Sequence, residues 1–301
     1  MKKISIIILH FQDQELTADC LKSIEKLNLN DIDLQVLIVN NNPEQDLAKL
    51  EKTFADFTFI KTKTNLGYAQ GNNFGIEKAL EEKPDFVFLL NNDTILDKDL
   101  LVKLIDGFKK DKKIGIIGPK IYFAKGYEFH KNRYQKEDLG KVIWYAGGLI
   151  DWQNIVASHR GVDEVDKGQY DQFCQTNFIS GCAMMIKREV FEKIGFFNKN
   201  YFLYWEDVDF CQRAFRAGFT CFYDGMGKLW HANAGSSKVG GALHDYYMTR
   251  NRLLFGLKYA DFKTKLALVR QSSKLLSKGS FWQKKGVLDF YTFNFGKGSY
   301  E

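Results

Sequence analysis

Only three of the 301 residues are proline, too few for extended linkers. Cysteine is scarce too: Cys20, Cys174, Cys182, Cys211 and Cys221, with no C-x-x-C pair. An odd number without that spacing argues against a disulfide framework or a zinc site. It favours small buried thiols in a reducing compartment. No apolar run reaches the roughly 18–20 residues needed to cross a bilayer. The start, Met1-Lys2-Lys3 before an apolar run at 4–9, has the charge order of a secretion signal. The run is too short for one, however, and no small-residue cleavage site follows. It reads as a buried strand of a cytoplasmic protein. No G-x-G-x-x-G follows that run, which disfavours a dinucleotide site, and no G-x-x-x-x-G-K-[ST] occurs, so a P-loop is absent.

Apolar residues make up 45% of the chain and aromatics 15%, enough for a large core. The net charge is +6. Residues 258–301 carry nine bases against three acids, so the rest of the chain is formally balanced. Short apolar runs at 4–9, 34–39, 57–60, 86–90 and 114–117 read as strands buried on both faces of a parallel sheet. Helical stripes lie between them. Leu16, Cys20, Ile24 and Leu27 form one, with Asp13 at its N-cap; Leu100, Leu101, Leu104 and Phe108 form another, opening near Asp97. This βαβα series predicts a doubly wound α/β sheet. Further helices are expected at 187–194, stopped by Gly195, and at 206–217, stopped by Gly218. Two short strands are expected at 219–223 and 228–231. Residues 120–180 are irregular; Trp144, Tyr145 and Trp152 there suit either sugar stacking or local packing.

Ligands of open parallel sheets sit at the carboxyl ends of the strands. Those ends read His10-Phe11-Gln12-Asp13, Asn40-Asn41-Asn42, Asn65-Leu66-Gly67-Tyr68-Ala69-Gln70-Gly71-Asn72-Asn73 and Asn91-Asn92-Asp93. Asn and Gly also make turns, but four polar ends in succession form an edge lined for a hydrogen-bonding ligand. One carboxylate, Asp93, among amides suits a hard divalent cation that leaves most of its coordination to water and a diphosphate.

Together with Ser180-Gly181-Cys182, Tyr204-Trp205-Glu206-Asp207-Val208-Asp209, Leu229-Trp230-His231, Gly235-Ser236-Ser237 and Arg250-Asn251-Arg252, this ordered set resembles a family 2 glycosyltransferase. The resemblance covers residues 1–257. Gly147-Gly148 and His159-Arg160-Gly161 are similar to its bacterial rhamnosyltransferase-like subgroup. It implies a GT-A fold: a Rossmann-like, mostly parallel sheet with flanking helices. Residues 1–120 would form the donor half and 121–257 the acceptor and catalytic half, with 258–301 a basic helical appendage.

The implied activity is an inverting, metal-dependent hexosyl transfer in bacterial surface polysaccharide synthesis. Rhamnose or a related hexose would pass from a nucleoside-diphosphate sugar to a glycan or lipid-linked acceptor. Asp93, His231 and Asn91 would serve Mg2+ or Mn2+, with Asn91 standing where the family has the first acid of its DxD motif. Asp207 would be the general base and Glu206 the runner-up. His10, Phe11, Asn40, Asn65, Gly67, Gly71, Asn72, Asn73, Asn92 and Arg250 would bind the donor. The family usually has Asp where Asn40 stands, and Arg250 could equally be a surface ion pair. Trp144, Gly181, Trp205 and Asp209 would shape the acceptor and sugar pocket. The Q-x-x-R-W motif of processive synthases is absent, which implies one sugar per encounter. The alternatives are a sugar nucleotidyltransferase and a non-catalytic binding module.

In the tail, Phe262, Leu266, Val269 and Leu276 share a helical stripe, with Lys263, Arg270, Lys274 and Lys278 on another side. This suits either docking on a membrane surface or packing on the domain. No nucleic-acid motif accompanies the charge.

Overall fold

A computed structural model describes residues 1–233 and 240–300; the expected Gly235-Ser236-Ser237 motif lies outside the described residues. The strands are β1 (Lys2–His10), β2 (Ile32–Asn40), β3 (Thr58–Lys61), β4 (Phe86–Asn91), β5 (Thr94–Leu96), β6 (Ile114–Phe123), β7 (Ile143–Tyr145), β8 (Gly148–Asp151), β9 (Val156–His159), β10 (Phe173–Gln175), β11 (Ala183–Lys187) and β12 (Thr220–His231). The helices are α1 (Gln14–Ile24), α2 (Ala48–Thr53), α3 (Gly67–Leu80), α4 (Leu100–Phe108), α5 (Arg188–Ile194), α6 (Glu206–Arg216), α7 (Ala242–Tyr259), α8 (Phe262–Lys278) and α9 (Phe281–Tyr291).

The main sheet runs β10-β12-β6-β11-β4-β1-β2-β3. Strands β4, β1, β2 and β3 are parallel. Strand β11 runs antiparallel between β4 and β6, and β6 is parallel to β12. The five expected strands are all present; β1, β2, β4 and β6 hold continuous apolar runs in the buried sheet, whereas β3 is a half-exposed edge strand. The two short strands expected after α6 are instead one, β12, whose register against β6 shifts between Asp224 and Lys228. The chain leaves β3 and returns at β4 on the far side of β1, so a topological switch opens at the carboxyl end of β1.

Helix α3 begins within the polar strand end at 65–73, where the sequence marks no helical stripe. Its glycines explain why a helix fits there. A Cβ on Gly71 would lie 2.6 Å from Leu9 Cδ1, and one on Gly75 2.6 Å from Ile7 Cγ2. The missing side chains let α3 lie directly on β1. Close to the cleft, Gly67 has φ +71°, and a Cβ there would collide with the Phe202 carbonyl.

The C-terminal residues pack on the rest. Residue 257 lies inside α7, and Leu268 of α8 and Val287 of α9 are fully part of the main core. Fully buried Arg250 of α7 fastens them. Its Nη2 donates to Gly296 O (2.7 Å), its Nη1 to Asn294 O (3.3 Å), and its Nε to Asn251 Oδ1 (3.0 Å). Replacing it leaves buried carbonyls without donors. Arg250→Ala is expected to cost on the order of 3 kcal/mol, measured by urea unfolding; an unchanged midpoint would refute this role.

Candidate active site

At the switch point lies a cleft of about 620 Å³. Each strand end contributes. Phe11, Gln12 and Asp13 follow β1, Asn41 follows β2, and Asn91, Asn92 and Asp93 close β4. Asn41 organises its wall: its Nδ2 donates to Asn65 Oδ1 (3.1 Å) and Gly67 O (3.2 Å), and its Oδ1 accepts from Leu66 N (2.9 Å). Asn92 Nδ2 ties β4 to the end of β1 through Gln12 O (2.9 Å) and to α1 through Thr17 Oγ1 (2.8 Å).

On one side, His231 at the end of β12 meets Asp93, with Nε2 3.0 Å from Oδ1. Burial opposes charge on this imidazole, yet Cys182 and Asp93 beside it push it up to about 10. Its Nδ1 is buried without a hydrogen-bond partner. Trp144 stands edge-on to it, ring centroids 4.7 Å apart. His159 packs against the other side of Trp144, and burial lowers it to about 4.

Glu206 and Asp207 open α6 on the opposite arm of the cleft lining. Tyr204 and Trp205 just before them hold left-handed backbone (φ 69° and 73°). Asn251 Nδ2 pins that turn through Leu203 O (2.8 Å) and Tyr204 O (2.9 Å). The strain persists because α7 over-determines it, and it aims both acids into the cleft. Asp207 accepts from Gly181 N (3.0 Å) and Val208 N (2.8 Å). Glu206 Oε2 has no partner. Burial and then the Asp207 charge push Glu206 well above the usual carboxylate range. Burial raises Asp207 too, but the backbone N–H groups pull against it. Glu206 therefore holds its proton first and leaves Asp207 as the anion.

The expected residues divide. Asp207, Glu206, Asp93, His231, Asn91, Phe11, Asn65, Gly67, Asn92, Trp144 and Gly181 line the cleft. Eight others do not. Strand alternation turns His10 and its register partner Asn40 away. His10 bonds Thr17 Oγ1 (2.8 Å) and Gln45 Oε1 (2.5 Å), and Asn40 Nδ2 bonds Gln45 O (3.1 Å). Gly71 packs α3 on β1. Asn72 Nδ2 bonds Tyr68 O (2.9 Å) within that helix, and Asn73 clasps both backbone groups of Phe197. Trp205 turns inward onto Phe255, centroids 4.9 Å apart. Asp209 is held by Arg213, Lys258 and Tyr259. Arg250 faces backbone carbonyls rather than the cleft. Asp13 stands at the N-cap of α1 without capping it; its φ of 61° sends the side chain elsewhere, and it lines the cleft.

Asn41, Tyr68, His159, Tyr247, Lys297 and Tyr300 also line the cleft and were not singled out by sequence. Asn41 was legible from alternation, one residue past Asn40. Nothing local to the sequence links Lys297 and Tyr300 to strand ends some two hundred residues earlier.

Asp93 and His231 could hold a divalent ion. Among the described residues no group of three or more His, Cys, Asp or Glu could hold one. A two-donor set fits an ion completed by water and a substrate diphosphate, and the buried His231 Nδ1 has no hydrogen-bond partner.

A family pattern described as glycosyl transferase family 2 matches residues 5–195. Among curated proteins, the low-salt glycan biosynthesis hexosyltransferase Agl10 of Haloferax volcanii is 25% identical over 264 residues, covering 87% of this chain and 74% of that protein. The poly-beta-1,6-N-acetyl-D-glucosamine synthase of Staphylococcus epidermidis is 24% identical over 65% of this chain, which spans only 42% of that synthase. The crystal structure of GalNAc-T7 with UDP, GalNAc and Mn2+ superposes with a TM-score of 0.69 at 13% identity, covering 97% of this chain and 54% of that one. The chain belongs to glycosyl transferase family 2 and is a glycosyltransferase with the GT-A fold.

Proposed function

We propose that the protein moves one hexose, rhamnose or a close relative, from a nucleoside-diphosphate sugar to a glycan or lipid-linked glycan acceptor, inverting the anomeric centre. One observation carries this reading. A pair that could hold a divalent ion against a leaving diphosphate, Asp93 and His231, shares a single cleft with the paired carboxylates Glu206 and Asp207. The printed names of the relatives, a glycan-building hexosyltransferase and a polysaccharide synthase, support the substrate class. The Mn2+ and UDP bound to the structural neighbour support the cofactor and the donor type.

The chemistry follows from the placement. Phe11, Asn41, Asn65 and Gly67 receive the nucleoside, with Asn41 taking the place expected of Asn40. Asp93 and His231, with Asn91 beside them, hold Mg2+ or Mn2+, which when bound supplies Lewis-acid neutralisation of the departing diphosphate. Asp207 accepts the acceptor hydroxyl proton as that oxygen bonds to the anomeric carbon and the carbon–phosphate oxygen bond breaks. Trp144 and Gly181 bound the space left for sugar and acceptor.

Asp207→Asn is expected to lower kcat about 10³-fold while nucleotide affinity stays. Glu206→Gln, which imitates the protonated acid, is expected to keep most activity. Activity should fall as pH drops through the raised pKa of Asp207, so the acid limb should lie above the usual carboxylate range. Equal loss in both variants would sink this assignment.

Thermal-shift titration tests the donor site. UDP, GDP or dTDP should raise Tm more with Mn2+ or Mg2+ than without, and Asp93→Asn should erase the metal-dependent part. No shift from any of them would refute nucleotide-sugar binding.

A second observation bears on where the acceptor is met. Helix α8 buries Thr264, Leu268 and Ser272 but exposes Phe262 (83%), Leu266, Val269 and Leu276 on its other side. Lys263, Arg270 and Lys274 flank that stripe. No described helix is long and apolar enough to cross a membrane. An apolar stripe edged with cations suits an anionic bilayer surface, where lipid-linked acceptors reside. Wild type should sediment with phosphatidylglycerol-containing vesicles. The Phe262→Ser, Leu266→Gln, Val269→Gln variant should stay in the supernatant. Equal partitioning of the two would overturn the docking reading.

A further inference from the structure

The last residues of the chain form part of the cleft. Residues 294–300 leave α9 and run back across α7, fastened along the way. Arg250 donates to the carbonyls of Asn294 and Gly296, and Tyr247 Oη donates to Lys297 O (2.9 Å). Ser299 N donates to Asp289 Oδ2 (2.8 Å) and Tyr246 Oη (2.9 Å), and Ser299 Oγ donates to Asp289 Oδ1 (3.0 Å). Tyr246 Oη in turn donates to Asp289. The Tyr300 ring rests against Trp282, centroids 4.8 Å apart. Gly298 has φ +61°, and a Cβ there would collide with Tyr246 Oη and sit 2.6 Å from Arg250 Nη1. Only glycine lets the strand of backbone pass this close.

The outcome of this path is the placement of Lys297 and Tyr300 on the cleft. Four carboxylates line the same space: Asp13, Asp93, Glu206 and Asp207. Among the described residues, Lys297 is the one Lys or Arg that joins them. A nucleoside-diphosphate sugar brings further negative charge into this already acidic cavity. A divalent ion at Asp93 and His231 answers part of it, and a lysine ammonium is a compact phosphate partner for the remainder.

We propose that residues 296–300 are a strap of the donor site, in which Lys297 Nζ pairs with the donor diphosphate and Tyr300 walls the pocket beside it. This rests on the nucleotide-sugar reading above. Arg250, which the sequence placed on the diphosphate, is a positioning residue here: it holds the backbone that presents Lys297.

The test is calorimetric titration of the full chain with UDP, GDP and dTDP in Mg2+, for wild type, Lys297→Ala and Lys297→Arg. Ligand-observed NMR measures the matching nucleoside. Lys297→Ala should weaken the diphosphate about tenfold, and Lys297→Arg should restore most of it. Nucleoside affinity and Tm should stay unchanged, because Lys297 is exposed and makes no core contact. Diphosphate binding by Lys297→Ala equal to wild type overturns the strap role and leaves the donor site standing. Equal loss of nucleoside and diphosphate overturns it as well, since the effect would not be on phosphate. Wild type binding none of the three diphosphates overturns the donor-site reading and the strap together.

Discussion

Crowding carboxylates around one cavity is the constraint to which the rest of the site answers. Asp13 stays exposed, but Asp93, Glu206 and Asp207 are wholly or partly buried and lose hydration, so each of these three needs a distinct settlement. Asp93 finds His231. Asp207 takes two backbone N–H donors. Glu206, whose Oε2 meets no donor, is pushed well above the usual carboxylate range by burial and by the Asp207 charge. The result is two adjacent acids on one helix turn, Glu206 raised well above the usual range and Asp207 raised against the pull of backbone N–H groups. That division sets two neighbouring carboxyl groups apart by their surroundings alone.

The acids are aimed by backbone that an isolated helix would not adopt. Two successive left-handed residues, Tyr204 and Trp205, precede α6, and such geometry persists only when the surroundings fix it. Asn251 supplies that fixing from α7, and Arg250 next to it braces the C-terminal residues. Adjacent side chains on one helix thus connect the acid-bearing turn to the strap. Loosening the tail would reach the catalytic turn through α7 without any change in the cleft residues themselves.

What could be read from sequence follows the physics of each signal. Four of the five parallel strands announced themselves because burial on both faces leaves unbroken apolar runs; the fifth, β3, is a half-exposed edge strand whose short apolar run was still legible. Strand direction leaves no mark in composition, so the antiparallel insertion of β11 between β4 and β6 was not legible. The strand ends were placed to within a residue, and that residue mattered. With a period of two, His10 and Asn40 face away while Phe11 and Asn41 face the ligand. The helix at 67–73 was not legible, because a glycine that clears a path for a helix against β1 has the same letter as one that makes a turn. Arg250 was misplaced for a related reason: a guanidinium that satisfies carbonyls and one that binds phosphate share one residue type, and only long-range packing separates them.

The net charge of +6 changes meaning on this structure. All of the excess lies in residues 258–301, which sequence alone sets apart from the catalytic body. Packing dissolves that separation. The tail shares the main core through Leu268 and Val287 and delivers Lys297 to an otherwise acidic cleft. Its remaining bases lie largely along α8 and the start of α9, around the exposed apolar side chains Phe262, Leu266, Val269 and Leu276. One short segment therefore presents cations in two directions, inward to the cavity and outward to the surface. A body that is formally neutral and acid-lined thus carries its excess positive charge on exposed helix surface and on Lys297 at the cleft, with no cost of burying those cations in its core.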